Sequence, residues 1–206
     1  MIKNIIFDFD GVILDSVPIK TEAYRKLFYN YNEKHVSKLV NYHELNGGIS
    51  RYKKIKYFFN ELLNEEILDK EILNYANKYS ILTKKELSKK KYLIEDTVNF
   101  IKKNYKNYNM HIASGADDND LKYICNSLGL SKYFLSIDGS PTIKSDIVEE
   151  ILNKNKYDTA ETILVGDSIN DYGAAENNDI QFYGYNNILL KDKYRYIINF
   201  NKINFD

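Results

Sequence analysis

The sequence predicts an α/β protein with a Rossmann-like, doubly wound parallel sheet as its core and an inserted all-helical cap domain. Short apolar runs alternate with helical periodicity after residue 90, which is typical of a parallel sheet covered by helices on both faces. Between residues 16 and 90 the apolar spacing is helical and no strand pattern occurs. We therefore expect a core domain formed by residues 1–15 and 91–206 and a helical cap domain formed by residues 16–90.

The elements follow in order along the chain. The apolar run at residues 2–7 predicts a parallel strand that is buried on both faces. In the predicted cap, apolar side chains recur at helical spacing, and the three faces lie at residues 23–31, 52–62 and 72–79. After residue 90, helices are expected at 96–105, 117–130, 144–155 and 172–178, and strands at 110–115, 133–139, 162–168 and 180–185.

Composition and charge exclude several classes of function. The 206 residues include 29 basic and 29 acidic side chains, a balance that argues against a general nucleic-acid-binding protein. No apolar stretch reaches the roughly 18 residues that a membrane span needs. A single cysteine, Cys125, precludes an internal disulfide, and the three histidines show no metal-ligand spacing. We expect a cytoplasmic protein with no nucleic-acid or membrane partner, either a monomer or a weak homodimer.

Polar residues follow several of the predicted strands at the point where each strand ends. In open parallel sheets, ligands bind outside the carboxyl ends of the strands. Four separated segments of the chain bring chemistry-bearing residues to this edge: Asp8 and Asp10 after the first strand, Ser114 and Gly115 after the second, Lys144 before a helix, and Asp167 with Asp171 after a later strand. Their joint occurrence favours a functional site over a set of ordinary turns.

These residue types together predict phosphoryl transfer. Converging carboxylates repel one another unless a cation joins them, and hard oxygen ligands suit Mg²⁺. A hydroxyl, a backbone N–H and a lysine can hold phosphate oxygens. One carboxylate can attack phosphorus, and a second one two residues away can protonate the leaving group and later deprotonate water.

The stretches "DFDGVILDS", "IASG" and "GDSINDYGAA", together with Lys144, resemble the four motifs of the haloacid dehalogenase-like hydrolase superfamily. The resemblance spans nearly the whole chain, and the helical insertion after the first motif is similar to the small helical cap of that superfamily. It implies Mg²⁺ as the cofactor and the following roles: Asp8 as nucleophile and metal ligand, Asp10 as general acid/base with its backbone carbonyl on the metal, Ser114 and Gly115 as phosphate-binding residues, Lys144 as stabiliser of the phosphate, Asp167 as metal ligand, and Asp171 as support from the first or second shell of the metal.

In the cap, the segment "ELNGGISRYKK" resembles the cap loop of β-phosphoglucomutase-like and phosphoglycolate phosphatase-like members. This resemblance suggests Arg51 as a clamp on a second anionic or hydroxyl-rich part of the substrate. A solvated arginine in the first turn of a helix is the competing interpretation. Lys20 is a second tentative substrate contact in the cap.

The favoured function is a Mg²⁺-dependent phosphatase acting on a small phosphorylated metabolite, a phosphosugar or a phosphoglycolate-like compound. A sugar phosphomutase of the same family is the alternative. Such mutases carry a histidine in the cap hinge, whereas Lys20 stands at the matching position here. A phosphonate hydrolase would use a cap lysine as a Schiff base, for which Lys53, Lys54 and Lys56 are available. A non-enzymatic receiver-like signalling domain is a remote alternative, since it would lack both the helical insertion and the later "GDSIND" motif.

Overall fold

The computed structural model describes residues 1–203 and 205; Asn204 and Asp206, at the end of the predicted core segment, lie outside the described residues. Within the described part, one sheet has six strands in the order β3-β2-β1-β4-β5-β6, and every neighbouring pair is parallel. The strands are β1 (Asn4–Phe7), β2 (Asn109–Asp117), β3 (Ser136–Ser140), β4 (Thr162–Gly166), β5 (Gln181–Tyr185) and β6 (Arg195–Ile197).

This strand order confirms the predicted doubly wound sheet. The chain builds outward from β1 through β2 to β3, then returns to the other side of β1 and builds outward again from β4. The change of direction lies between β1 and β4, which is where ligands bind in such sheets. The three-residue strand β6 was not predicted from the sequence, because so short a run carries no measurable periodicity.

Eight α-helices occur in residues 1–203 and 205: α1 (Val17–Leu27), α2 (Glu33–Leu45), α3 (Arg51–Tyr57), α4 (Asp69–Leu87), α5 (Glu95–Asn104), α6 (Asp118–Ser127), α7 (Lys144–Asn155) and α8 (Ile169–Glu176). A π-helical turn, Phe58–Leu63, continues α3. None of the helices in the described residues is long and apolar enough to cross a membrane.

Helices cover both faces of the sheet, because side chains alternate along each strand. Ile5 and Phe7 of β1 belong to one buried cluster, which includes side chains of α5 and α6. Ile6 belongs to a second cluster on the opposite face, which includes side chains of α7 and α8. The sheet is therefore the middle layer of three.

Helices α1–α4 have an apolar core of their own, built mainly from aromatic rings. Phe28 lies at its centre, stacked on Phe58 with ring centroids 4.1 Å apart and on Tyr75 at 5.3 Å. Such aromatic pairs stabilise a core beyond the area they bury, typically by about 0.5–1.5 kcal/mol each.

The chain leaves the core for these helices and returns to it at one place. Leu14 pairs with Leu93 in an isolated antiparallel bridge. On either side of this bridge, the Asp15 amide donates to the Tyr92 carbonyl at 2.8 Å, and the Ile94 amide donates to the Ile13 carbonyl at 3.0 Å. The outgoing and returning segments thus form a short two-stranded connection.

Candidate active site

The predicted site residues converge at the carboxyl edge of the sheet. Asp8 directly follows β1, and the neighbouring strands β2 and β4 deliver their terminal residues to the same edge. Lys144 begins α7, whose first turn also reaches this edge. The structure brings Asp8, Lys144, Asp167 and Asp171 together, as the sequence pattern predicts for strand ends.

Asp8 is buried to 1% exposure and carries unsatisfied oxygens. Its Oδ1 lies 2.8 Å from Lys144 Nζ, so the two form an ion pair. Neither oxygen has a well-aligned hydrogen-bond donor among the described residues. Burial and the neighbouring Asp171 charge raise the pKa of Asp8 to about 7, although Lys144 opposes this shift. The Asp8 carboxylate therefore needs a further electropositive partner to stay ionised at neutral pH.

Lys144 is held between two carboxylates. Its ammonium group donates to Asp171 as well as pairing with Asp8. Burial alone would lower the pKa of Lys144, but the two carboxylates outweigh burial and raise it. Lys144 is consequently a fixed positive charge at the edge of the sheet.

Asp171 is already satisfied by protein donors. Its Oδ2 accepts from the Ser168 amide at 3.0 Å and from Ser168 Oγ at 2.7 Å, while Oδ1 accepts from Lys144. The bond from the Ser168 amide to the Asp171 side chain, together with the approach of the Asp171 amide to the Ser168 side chain, forms a capping box that begins α8. Asp171 thus orients Lys144 and the loop between β4 and α8.

Asp167 lies over Gly11 of the first motif. Gly11, which is the fourth residue of the stretch "DFDGVILDS", adopts φ +75°, and a Cβ at this position would come within 1.9 Å of Asp167 Oδ2. Only glycine allows the carboxylate to approach so closely. Burial, together with Asp8 and Asp171, raises the pKa of Asp167 well above its ordinary value.

The carboxylates of Asp8, Asp167 and Asp171 each place an oxygen within 4.8 Å of the others. A hard divalent cation with oxygen ligands fits this arrangement, because it would supply a second positive partner, besides Lys144, for the oxygens of Asp8. The raised pKa values of Asp8 and Asp167 have the same causes, which are burial first and then the negative charge of the neighbouring carboxylates, only partly offset by Lys144.

Asp10 is held by two residues from the start of α1. Ser16 Oγ donates to its Oδ1 at 2.5 Å, and Lys20 Nζ lies 2.5 Å from its Oδ2. Burial by itself would raise the pKa of Asp10, but Lys20 and Ser16 outweigh it and the net shift is downward. Lys20, a tentative substrate contact from the sequence, lines the cavity and pairs with Asp10.

The end of β2 contacts the glycine loop that precedes α3. Ser114 is fully buried, and its Oγ accepts from the Ala116 amide at 3.1 Å. A Cβ on Gly115 would come within 1.9 Å of the Gly48 carbonyl oxygen, so this close approach requires glycine. Asn170 Nδ2 donates to the Gly47 carbonyl at 2.6 Å and fixes the loop against the start of α8.

A cavity of about 310 Å³ lies between the glycine loop, the helices of the cap and the edge of the sheet. Residues from both sides line it, including Asp10, Lys20, Arg51, Lys54, Gly115 and Asp167. Lys54 is 3% exposed, and its Nζ lies 2.9 Å from His43 Nδ1. Burial and the nearby Lys20 lower the pKa of Lys54 to about 7.

Sequence reasoning missed the partners of the basic residues in the cap. The spacing of His43 indicates no metal site, and no sequence motif marks Asp120. Arg51 pairs with Asp120 at 2.8 Å, a separation of 69 residues that no local pattern encodes. For His43, helical spacing is the available signal: it lies on the same face of α2 as Val36, Leu39 and Val40, which indicates a buried side chain.

Comparison with known proteins adds the family. The model of the haloacid dehalogenase-like hydrolases matches residues 5–185, most of the chain. A search of curated sequences finds no significant match.

Several solved structures are similar in fold. β-Phosphoglucomutase from Clostridium difficile superposes with a TM-score of 0.79 at 20% identity, covering 100% of this chain and 94% of that one. CbbY from Rhodobacter sphaeroides, in complex with xylulose-(1,5)bisphosphate, gives 0.76 at 14% identity, covering 98% and 96%. A predicted phosphoglycolate phosphatase from Haemophilus somnus gives 0.74 at 16% identity, covering 97% and 95%. With this fold, and with a family match over most of its length, the chain belongs to the haloacid dehalogenase-like hydrolases.

Proposed function

We propose that this protein is a Mg²⁺-dependent phosphatase that hydrolyses a small phosphorylated metabolite through an aspartyl-phosphate intermediate on Asp8. The observation that carries the proposal is the environment of the Asp8 carboxylate. Its carboxylate is buried at the edge of the sheet, paired with Lys144 and without a well-aligned hydrogen-bond donor among the residues described. A carboxylate in this state is available both to a cation and to an electrophilic phosphorus atom.

We assign the steps to residues of this chain. An Asp8 oxygen attacks phosphorus, the bond to the ester oxygen breaks, and Asp10 gives that oxygen a proton. Asp10 then takes a proton from water, the water oxygen bonds to phosphorus, and the bond between phosphorus and Asp8 breaks. This releases inorganic phosphate and restores Asp8. Lys144, the Ser114 hydroxyl and the Gly115 amide would hold the phosphate oxygens throughout.

Mg²⁺, when bound, would neutralise charge on the phosphate and on the carboxylates around it. We propose that the side chains of Asp8 and Asp167 and the backbone carbonyl of Asp10 hold it. Asp171 is better described as a positioning residue, because its oxygens are already engaged by Lys144 and Ser168.

The size of the cavity supports a small substrate. A volume of about 310 Å³ accommodates a phosphosugar or a phosphoglycolate-like molecule, and the glycine loop closes it against the core. CbbY holds a ligand of this kind, xylulose-(1,5)bisphosphate. Enclosure of this kind excludes water and bulky protein phosphates. We propose a cytoplasmic location on the same ground, since such metabolites are cytoplasmic compounds.

The test is hydrolysis of 4-nitrophenyl phosphate with Mg²⁺ by the wild-type protein and the Asp8→Asn variant. Asp8→Asn should reduce turnover by about 10⁴-fold or more, because the amide is not a nucleophile. Asp146→Asn is the matched control, since Asp146 is an exposed carboxylate on α7 close to Lys144 in sequence. Substantial activity in Asp8→Asn would contradict the assignment of the nucleophile.

Removal of the metal provides a second test. A chelator should abolish hydrolysis and Mg²⁺ should restore it. In the absence of substrate, Mg²⁺ at about 100 times its Kd should stabilise the fold by about 2.7 kcal/mol, measured as a rise in Tm. Full activity in the presence of chelator would overturn the metal assignment.

A phosphomutase differs in its product. The pairing of Lys20 with Asp10 fixes the acid/base with a cation, where the mutases that the chain resembles carry a histidine. Incubation with a sugar monophosphate separates the two activities: a phosphatase releases inorganic phosphate, whereas a mutase yields an isomeric sugar phosphate without release.

A further inference from the structure

Arg51 lines the cavity but is already engaged by the protein. It is the first residue of α3 and is 6% exposed. Its Nη1 donates to Asp120 Oδ2 at 2.8 Å, to Ser80 Oγ at 2.5 Å and to the Ala76 carbonyl at 3.4 Å. The charge of Arg51 is therefore matched before any substrate enters.

The partner of Arg51 is a buried carboxylate on the core. Asp120 lies in the first turn of α6, directly after β2, and is 4% exposed. Ser80 Oγ also donates to its Oδ2 at 2.6 Å, and Lys84 lies 3.5 Å from its Oδ1. Burial would raise the pKa of Asp120, but Ser80 and Arg51 outweigh burial and lower it, so Asp120 is an anion at neutral pH.

This carboxylate changes what Arg51 can recognise. A second phosphate or carboxylate on a substrate would have to approach Arg51 beside the negative charge of Asp120, and juxtaposed like charges are strongly unfavourable in a buried site. Displacing Asp120 would instead leave a buried carboxylate without its main cation. Both routes penalise a second anionic group, whereas neither penalises hydroxyl groups.

The other basic residues lining the cavity do not replace Arg51. Lys20 is paired with Asp10 at 2.5 Å. Lys54 is held by His43, and its pKa of about 7 leaves it only partly charged at neutral pH. Lys193 also lines the cavity but is exposed to solvent, where its charge is screened.

We propose that Asp120 is a specificity-determining residue that restricts the site to phosphate monoesters whose remaining part is uncharged, such as sugar monophosphates. The inference rests on the proposed phosphatase function and narrows its substrate class. It disfavours bisphosphates and phosphoglycolate-like carboxylates. Asp120 acts by neutralising Arg51, so it is a positioning residue and not a catalytic one.

The experiment compares the binding of fructose 6-phosphate and fructose 1,6-bisphosphate by calorimetry with Mg²⁺. The Asp8→Asn variant is the background, so that the ligands are not consumed. With Asp120 intact, the bisphosphate should bind no more tightly than the monophosphate. Adding Asp120→Asn should tighten binding of the bisphosphate by about tenfold and change binding of the monophosphate by less than about threefold. Adding Arg51→Met as well should abolish that gain.

Tyr52→Phe is the matched control. Tyr52 OH donates to Asp117, the N-cap of α6, at 2.5 Å, so this variant removes a neighbouring contact between α3 and the start of α6 without releasing a cation. It should leave the ratio of the two affinities unchanged. A change in the ratio equal to that of Asp120→Asn would mean that loosening of the interface, and not charge, sets selectivity, and would overturn the inference.

Two further outcomes are decisive. If the bisphosphate bound tenfold more tightly than the monophosphate while Asp120 is intact, the inference would be overturned and the proposed function would stand. This measurement does not depend on the folding of an Asp120 variant. If neither of the two sugar phosphates nor inorganic phosphate bound, the proposed function would be overturned, and so would the inference that rests on it.

Discussion

The two sides of the cavity differ in how their charges are matched. On the core side, the carboxylates of Asp8, Asp167 and Asp171 lie together, Lys144 pairs with Asp8 and Asp171, and the pKa values of Asp8 and Asp167 are raised. On the cap side, the basic side chains have partners within the chain: Arg51 with Asp120, Lys20 with Asp10, and Lys54 with His43. Under the proposed function, a cation and a phosphate would complete the core side, whereas the basic side chains of the cap side have partners without a ligand. We propose from this difference that the core carries the reaction chemistry and the cap the selection of substrate.

The largest effect beyond Asp8 is expected at Asp10, where the two sides meet. Asp10→Asn should slow hydrolysis of a phosphosugar by about 10²–10⁴-fold, the usual contribution of a general acid/base. The loss should be smaller with 4-nitrophenyl phosphate, because its leaving group needs little protonation. Steady-state rates with both substrates test this, and an equal loss with both would mean that Asp10 does not protonate the leaving group.

The matched variant Lys20→Met keeps Asp10 and removes its cation. Lys20 lowers the pKa of Asp10, so without it that pKa should rise. Because Asp10 must carry a proton to act as the general acid, the alkaline limb of the kcat/KM profile should then move to higher pH. A profile that did not move would show that the cap does not tune the acid/base.

The next largest effect is expected at Lys144, the cation that pairs with the carboxylates of the core side. Lys144→Met should reduce turnover by about 10²–10³-fold, because it removes a positive charge from the phosphate site. It should also destabilise the apo protein by about 3–5 kcal/mol, since it leaves the buried carboxylates of Asp8 and Asp171 without their cation. Denaturant unfolding measures the second effect.

Lys154→Met is the control for Lys144→Met, because Lys154 is an exposed residue on the same helix. It should be nearly silent in both assays. Unchanged stability of Lys144→Met would contradict the view that the core side is short of positive charge.

The smallest effect is expected on the cap side, at Lys54. Its pKa is lowered to about 7 in the folded protein from 10.5, so the unfolded chain binds more protons between these two values. The penalty for burying Lys54 is therefore complete below pH 7 and fades as the pH rises toward 10.5. Lys54→Met should stabilise the protein by about 1–4 kcal/mol at pH 6 and by less at pH 9.

Lys53→Met provides the comparison for Lys54, since Lys53 is adjacent and exposed. Urea unfolding at both pH values separates the two variants. A stabilisation of Lys54→Met that did not decrease with pH would indicate that the gain comes from packing and not from the buried charge.

Local pattern and sheet geometry account for what the sequence predicts well. The helix expected at residues 144–155 is observed as α7, Lys144–Asn155, because the apolar side chains of this segment recur at helical spacing and are buried on one face. The strand-end residues converge because neighbouring parallel strands share one edge. The sequence does not reveal the pairing of Arg51 with Asp120, since it depends on how α3 sits against α6. The roles of the catalytic residues and the division into two domains remain predictions.

The connection between Leu14 and Leu93 has a consequence for how this chain could be re-engineered. The outgoing and returning segments are hydrogen-bonded side by side. The residues between Asp15 and Tyr92 are therefore connected to the core in the same way as the loop of a hairpin. The entropy of closing a loop grows only slowly with its length, by about 0.6 kcal/mol per doubling. The stability of the core should therefore depend only weakly on the number of residues inserted there. The helices could be exchanged for a different module without changing the pairing of any strand in the sheet.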